Sequence, residues 1–99
     1  INNQGGLNGR KIELIIEDNA FDNNQAVNIF KKFVEVDHVK AILTGWSSIT
    51  SAVVPLIKKY QIPTITYVVS DIGKESKYLF NNKLEFEKYL DKLIQLAID

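Results

Sequence analysis

The stretch Val39–Val69, VKAILTGWSSITSAVVPLIKKYQIPTITYVV, reads as strand, helix and strand. VKAILT (39–44) is a short apolar run of strand length, and Gly45 breaks it. Ser47 or Ser48 then caps a helix whose Ile49, Ala52, Val53, Leu56, Ile57 and Tyr60 recur on one stripe. Pro55 lies inside that stripe, where it removes a helical hydrogen bond and predicts a kink unless the helix starts later. Gln61–Pro63 turns the chain. TITYVV (64–69) is β-branched and aromatic, a strand composition.

The same alternation extends to both sides. In KIELIIED (11–18), Ile12, Leu14 and Ile16 alternate, and Ile15 adds apolarity on the other face. That predicts a strand buried on one face and mostly on the other. Asn19–Asn24 is largely polar, with Asp22 and Asn23 as cap candidates. Ala26, Val27, Phe30, Phe33 and Val34 then recur at helical spacing until Asp37 and His38. The opening INNQGGLNGR (1–10) reads as a helix end and a turn. Beyond Val69, Ser70–Ser76 is a mostly polar loop and Tyr78–Phe80 a short strand. Lys83–Ile98 is a last helix with Leu90, Leu93, Ile94 and Ala97 expected to face inward.

This order implies right-handed crossovers and an α/β fold: a three-layer parallel sheet with helices on both faces. Doubly wound sheets usually carry their first strand in the middle. The chain begins on a helix end with no strand before it, so the first strand is expected to be lacking. The resulting sheet gap exposes two strand edges. Either the flanking strands pair directly, or strands exchange between copies and make a homo-oligomer.

Length and composition narrow the function. A chain of 99 residues allows one domain, and 45% hydrophobic residues suit a globular one. Twelve basic residues balance twelve acidic ones, which disfavours nucleic acid as a partner. Without cysteine, disulfide frameworks, cysteine zinc sites and thiol catalysis are excluded. The apolar runs are too short to cross a bilayer, and no charged-then-apolar signal segment opens the chain. A signal in an exported parent would lie upstream.

Ligands of open α/β sheets bind beyond the carboxyl ends of the strands, which here are Glu17–Asn19, Gly45–Ser48 and Val68–Asp71. At Gly45-Trp46-Ser47-Ser48 a strand meets a helix N-terminus, whose N–H groups and dipole favour an anion such as a carboxylate. Trp46 offers a flat apolar wall, or equally a core residue. Locally, Ser47 and Ser48 fit a plain cap better than a site. Ser70 and Asp71 would suit an ammonium group, yet a local turn explains them better. Taken together, the two loops match the two charges of a free α-amino acid. His38 is a lone histidine at a helix end, which fits a surface residue and no catalytic set. The Glu17-Asp18 pair lacks any Gly-rich phosphate loop beside it, so Asp18 is expected to turn the loop. No enzyme, cofactor or metal site is expected.

INNQGGLNGRKIELIIEDNAFDNNQAV resembles the opening of type I periplasmic binding proteins of the leucine/isoleucine/valine-binding group. The shared features are an I-N-x-x-G-G-I-N-G-R/K motif (Leu7 replaces the Ile), a strand, an E-D-N/D turn and a helix beginning near N-Q-A-V. AILTGWSSITSAVVPLIKKYQIPTI resembles the family's strand, Gly-x-Ser-Ser loop, A-V-x-P helix and I-P turn, so Pro55 has a counterpart there. The ordered series covers about residues 1–80, and the last helix matches only in kind. The resemblance implies that residues 1–99 are a single incomplete N-terminal lobe of a two-lobe solute-binding protein. It implies that Ser47, Ser48, the Val68 backbone and Ser70 hold an amino acid's α-carboxylate and α-ammonium and that Trp46 lies where a ligand wall would sit; Asp71 stays the ammonium candidate that its place beside Ser70 suggests. Tyr67, Val68 and Val69 depart from the small residues common in the family, which leaves the pocket shape open. The implied partners are an amino acid and the membrane permease of an ABC transporter. The implied place is periplasmic or extracellular, membrane-associated through the transporter. The alternative is a ligand-sensing domain of a receptor with the same lobe architecture. A small flavodoxin-like nucleotide binder is the third reading, and it requires the phosphate loop that is missing.

Overall fold

The computed structural model describes residues 2–68, 72–82 and 86–98. Helix α1 (Asn23–Glu35) starts on Asp22, whose side chain accepts the Gln25 N–H at 3.0 Å, the cap expected from the sequence. Strand β1 (Ile42–Gly45) leads to helix α2 (Ser47–Tyr60) and strand β2 (Thr64–Tyr67). Strand β3 (Leu79–Asn81) and helix α3 (Phe86–Ile98) complete the elements, with single 3-10 turns at Asn2–Gln4 and Ile72–Glu75. The strands form one parallel sheet in the order β1-β2-β3, with Gly45 beside Tyr67 and Thr66 beside Asn81.

One core holds these parts together. Ala26 and Phe30 of α1 and Ile49, Val53, Val54 and Ile57 of α2 meet Ile42, Val68 and Leu79 on one sheet face. Ile49, Val53 and Ile57 are nearly fully buried, and each such side chain contributes on the order of 1.5–3 kcal/mol. Pro55 sits inside α2 as the sequence indicated, on its exposed side. Gln61 closes α2 in the left-handed conformation, its N–H bonded to the Ile57 carbonyl at 2.9 Å.

The strand expected over Lys11–Asp18 does not form. This segment runs without ladder bonds, and Ile12, Leu14 and Ile16 are 46%, 70% and 80% exposed. Asn2 pins its start, accepting the Ile12 N–H and donating to the Ile12 carbonyl, both at 2.7 Å, and side-chain contacts of Glu17 and Asp18 hold its end. A strand is satisfied by a neighbour, and among the described residues none pairs with this segment. Ile42 donates its N–H to Pro63 at 2.9 Å, so by parallel alternation Leu43 and Gly45 turn their backbone groups to the other edge of β1. A cleft of about 320 Å³ opens along that edge, lined by Glu17 and Asn19 on one side and by Leu43 and Thr44 on the other. The expected gap is therefore open, and direct pairing across it is not what the chain adopts.

The expected inward stripe of the last helix is also corrected. Helix α3 forms, but Leu90, Leu93 and Ile94 are 41%, 61% and 55% exposed, and Ala97 is exposed too. Leu43, Ile65, Tyr67 and Phe80 leave the second sheet face open among the described residues. Helical periodicity marks a face fit for burial and does not supply the surface that buries it.

Candidate functional site

The carboxyl end of β1 carries an unusual backbone. Trp46 stands between strand and helix at φ 63° and ψ 134°, a region that bulky residues rarely adopt. Such a conformation costs on the order of 1–3 kcal/mol and persists where the surroundings hold it. The indole is 63% exposed, so Trp46 is not a core residue. Helix α2 starts at Ser47, and its first bond runs from the Thr50 N–H to the Trp46 carbonyl at 2.9 Å. Trp46 takes the cap position with no side-chain cap bond. Ser47 and Ser48 are thus the first two helical residues and not the caps the sequence favoured. The first turn of an α-helix has no acceptor for its N–H groups within the helix itself. Together with the helix dipole, this is a setting for an anion.

The next strand supplies Val68, one residue beyond the Gly45–Tyr67 pair. Its side chain is buried, and its backbone is clamped by Asn81. Asn81 Oδ1 accepts the Val68 N–H at 3.2 Å, and Asn81 Nδ2 donates to the Val68 carbonyl at 3.1 Å. The side-chain amide extends the β2–β3 ladder by one residue. One lone pair of the Val68 carbonyl accepts from Asn81. Ser70 and Asp71 lie outside the described residues.

A hydroxyl relay ties the two strand ends together beneath this surface. The Thr50 and Thr66 hydroxyls are 2.9 Å apart, and Thr50 Oγ1 donates to the Gly45 carbonyl at 3.4 Å. Both threonines are almost wholly buried.

On the other side lies the turn after residue 17. Asp18 accepts the Ala20 N–H at 2.8 Å, and Asn19 accepts the Phe21 N–H at 3.0 Å. Asp18 therefore turns the loop, as its place in the sequence indicated. Glu17 is bound to Lys32 Nζ at 2.8 Å, which also reaches Asp37 at 2.8 Å. The hydrogen bonds that Lys32 donates to Asp37 and Glu17 hold its ammonium above the ordinary lysine pKa. Phe21 projects from this turn onto Trp46, with ring centroids 4.8 Å apart and planes tilted by 55°.

The structure thus brings Trp46, Ser47, Ser48 and Val68 to one end of the sheet. Sequence reading missed Phe21, Asn81 and the threonine pair. A large apolar residue in an otherwise polar turn was the one available signal, at Phe21. For the threonines and Asn81, only register and packing reveal the partners.

A family profile described as periplasmic binding protein matches residues 1–86. The Leu/Ile/Val-binding protein homolog 7 of Brucella abortus is 29% identical over 105 residues, covering 99% of this chain and 26% of the relative. The Brucella melitensis homolog aligns with the same values. The chain spans about a quarter of the length of the curated relatives it matches. Among solved structures, the branched-chain amino acid transporter substrate-binding protein LivJ of Streptococcus pneumoniae, in complex with isoleucine, superposes with a TM-score of 0.78. It shares 27% identity and covers 85% of this chain and 25% of its own. An ABC transporter substrate-binding protein of Sphaerobacter thermophilus gives a TM-score of 0.68 at 31% identity, covering 80% of this chain and 24% of its own. With nearly all of its length matched by the profile and its sheet shared with these structures, the chain belongs to the periplasmic binding protein family.

Proposed function

We propose that residues 1–99 form one incomplete lobe of a two-lobe solute-binding protein, which captures an amino acid outside the cytoplasmic membrane for an ABC transporter. The observation that carries the reading is the β1–α2 turn. There an exposed, strained Trp46 and the N-terminus of α2 stand at the carboxyl end of β1. The N–H groups and hydroxyls of Ser47 and Ser48 take the α-carboxylate, and the Val68 carbonyl with Ser70 and Asp71 takes the α-ammonium. Charged hydrogen bonds of this kind contribute about 1.5–3 kcal/mol each. The relatives named for leucine, isoleucine and valine and the isoleucine-bound neighbour support an amino acid as ligand. No bond is made or broken; a second lobe closes over the ligand and presents it to a membrane permease. The free edge of β1 also supports strand exchange between copies as a route to self-association.

Isothermal titration calorimetry of the intact protein with a panel of amino acids tests the reading. Saturable binding is expected, and Ser47→Ala and Ser70→Ala each weaken it by roughly tenfold or more. Unchanged affinity in both variants, or no binding across the panel, refutes it.

A further inference from the structure

Phe21 and Trp46 form a contact that burial does not explain. Each ring is more than 60% exposed, yet their centroids are 4.8 Å apart. Both residues hold a φ of 63°, which side-chain-bearing residues avoid, and Ala20 adds a third such residue at φ 51°. The Phe21 turn is held by local bonds. The Asp18 and Asn19 carboxyl and amide oxygens each accept an N–H two residues on, and the Asp22 N–H donates to the Asn19 carbonyl at 2.9 Å. Asp22 then caps α1, whose Phe30 is in the core, so the turn is anchored to the fold. Trp46, by contrast, has no side-chain bond at the head of α2. Two strained backbones that converge on one exposed ring contact point to a role in the site.

We infer that Phe21 is a positioning residue for Trp46: its ring holds the indole upright as a fixed wall at the mouth of the β1–α2 turn. The inference rests on reading that turn as an amino-acid site. A wall set before binding loses less side-chain freedom when a ligand arrives. Without Phe21 the indole swings over the cleft beside Glu17 and Gly45, and the ligand must order it.

Trp46 is the only tryptophan of the 99 residues, which makes it the reporter. In the intact protein its emission is isolated by difference against a Trp46→Phe variant. Without ligand, Phe21→Ala is expected to shift that emission to the red and raise its quenching by acrylamide. Amino-acid affinity falls about three- to tenfold, the scale of a lost aromatic pair. Phe21→Tyr, which keeps the ring, restores all three. Phe21→Leu replaces the alanine variant if circular dichroism shows lost structure. Unchanged emission and quenching in Phe21→Ala overturn the positioning role, as does unchanged affinity in a protein that binds amino acids. A protein that binds no amino acid overturns the site reading itself, and this role with it.

Discussion

Thr50→Val and Thr66→Val each remove one hydroxyl from a buried relay, and their effects are expected to differ. The relay runs from Thr66 to Thr50 at 2.9 Å and from Thr50 to the Gly45 carbonyl at 3.4 Å. Valine keeps the shape of threonine, so the change is one of hydrogen bonding more than of volume. In Thr66→Val the Thr50 hydroxyl still donates to Gly45, and the loss is close to one net hydrogen bond, about 1 kcal/mol. In Thr50→Val the Thr66 hydroxyl, on a residue 1% exposed, keeps no partner. That adds the desolvation of an unsatisfied group, for a loss of about 2 kcal/mol. The double variant leaves no stranded hydroxyl, so its loss is expected near 1 kcal/mol, well below the sum of roughly 3 kcal/mol. Urea unfolding with an unchanged slope measures all three, and the coupling is their difference from additivity. Losses that simply add would refute the relay and with it the link between the β1–α2 turn and β2.

Two further outcomes follow from other contacts. Asn81→Leu removes both amide bonds to Val68 and is expected to lower stability by about 1–2 kcal/mol and to speed amide exchange at Val68; Asn81→Asp keeps the acceptor but turns a carboxylate oxygen onto the Val68 carbonyl and is expected to lose no less, and unchanged exchange at Val68 in both variants contradicts the clamp. Tyr60 donates its hydroxyl to Glu35, and that bond, with burial second, raises the phenol above the ordinary tyrosine value. A raised folded pKa means that the contribution of the contact is whole below the unfolded value and is lost as pH rises through the folded one. The tyrosinate absorbance of Tyr60, taken by difference against Tyr60→Phe, should appear late, and Glu35→Gln should bring it to lower pH.

The strand–helix–strand order of residues 39–69 was legible because it is written in local terms. Gly45 ends an apolar run, a helical stripe follows, and β-branched residues form the next strand. The Asp22 cap and the Gln61–Pro63 turn are local as well. The ordered motifs of residues 1–80 carried the family for the same reason: each is short and its meaning lies in its spacing. Residues 11–18 show where this stops. Their alternation is a strand pattern, but hydrogen bonding to a neighbour makes the strand, and the edge of β1 faces a cleft instead. Helix α3 repeats the lesson, since its stripe of Leu90, Leu93 and Ile94 meets no covering surface among the described residues. The site divides in the same way. Composition and order determined that a Gly-Trp-Ser-Ser turn heads a helix at a sheet's carboxyl end. Only the tertiary structure decided that Trp46 is exposed and strained, that Phe21 rests on it, and that Asn81 and Thr66 fix the neighbouring strand. Those facts depend on residues distant in the chain and adjacent in space, a relation that local pattern does not encode.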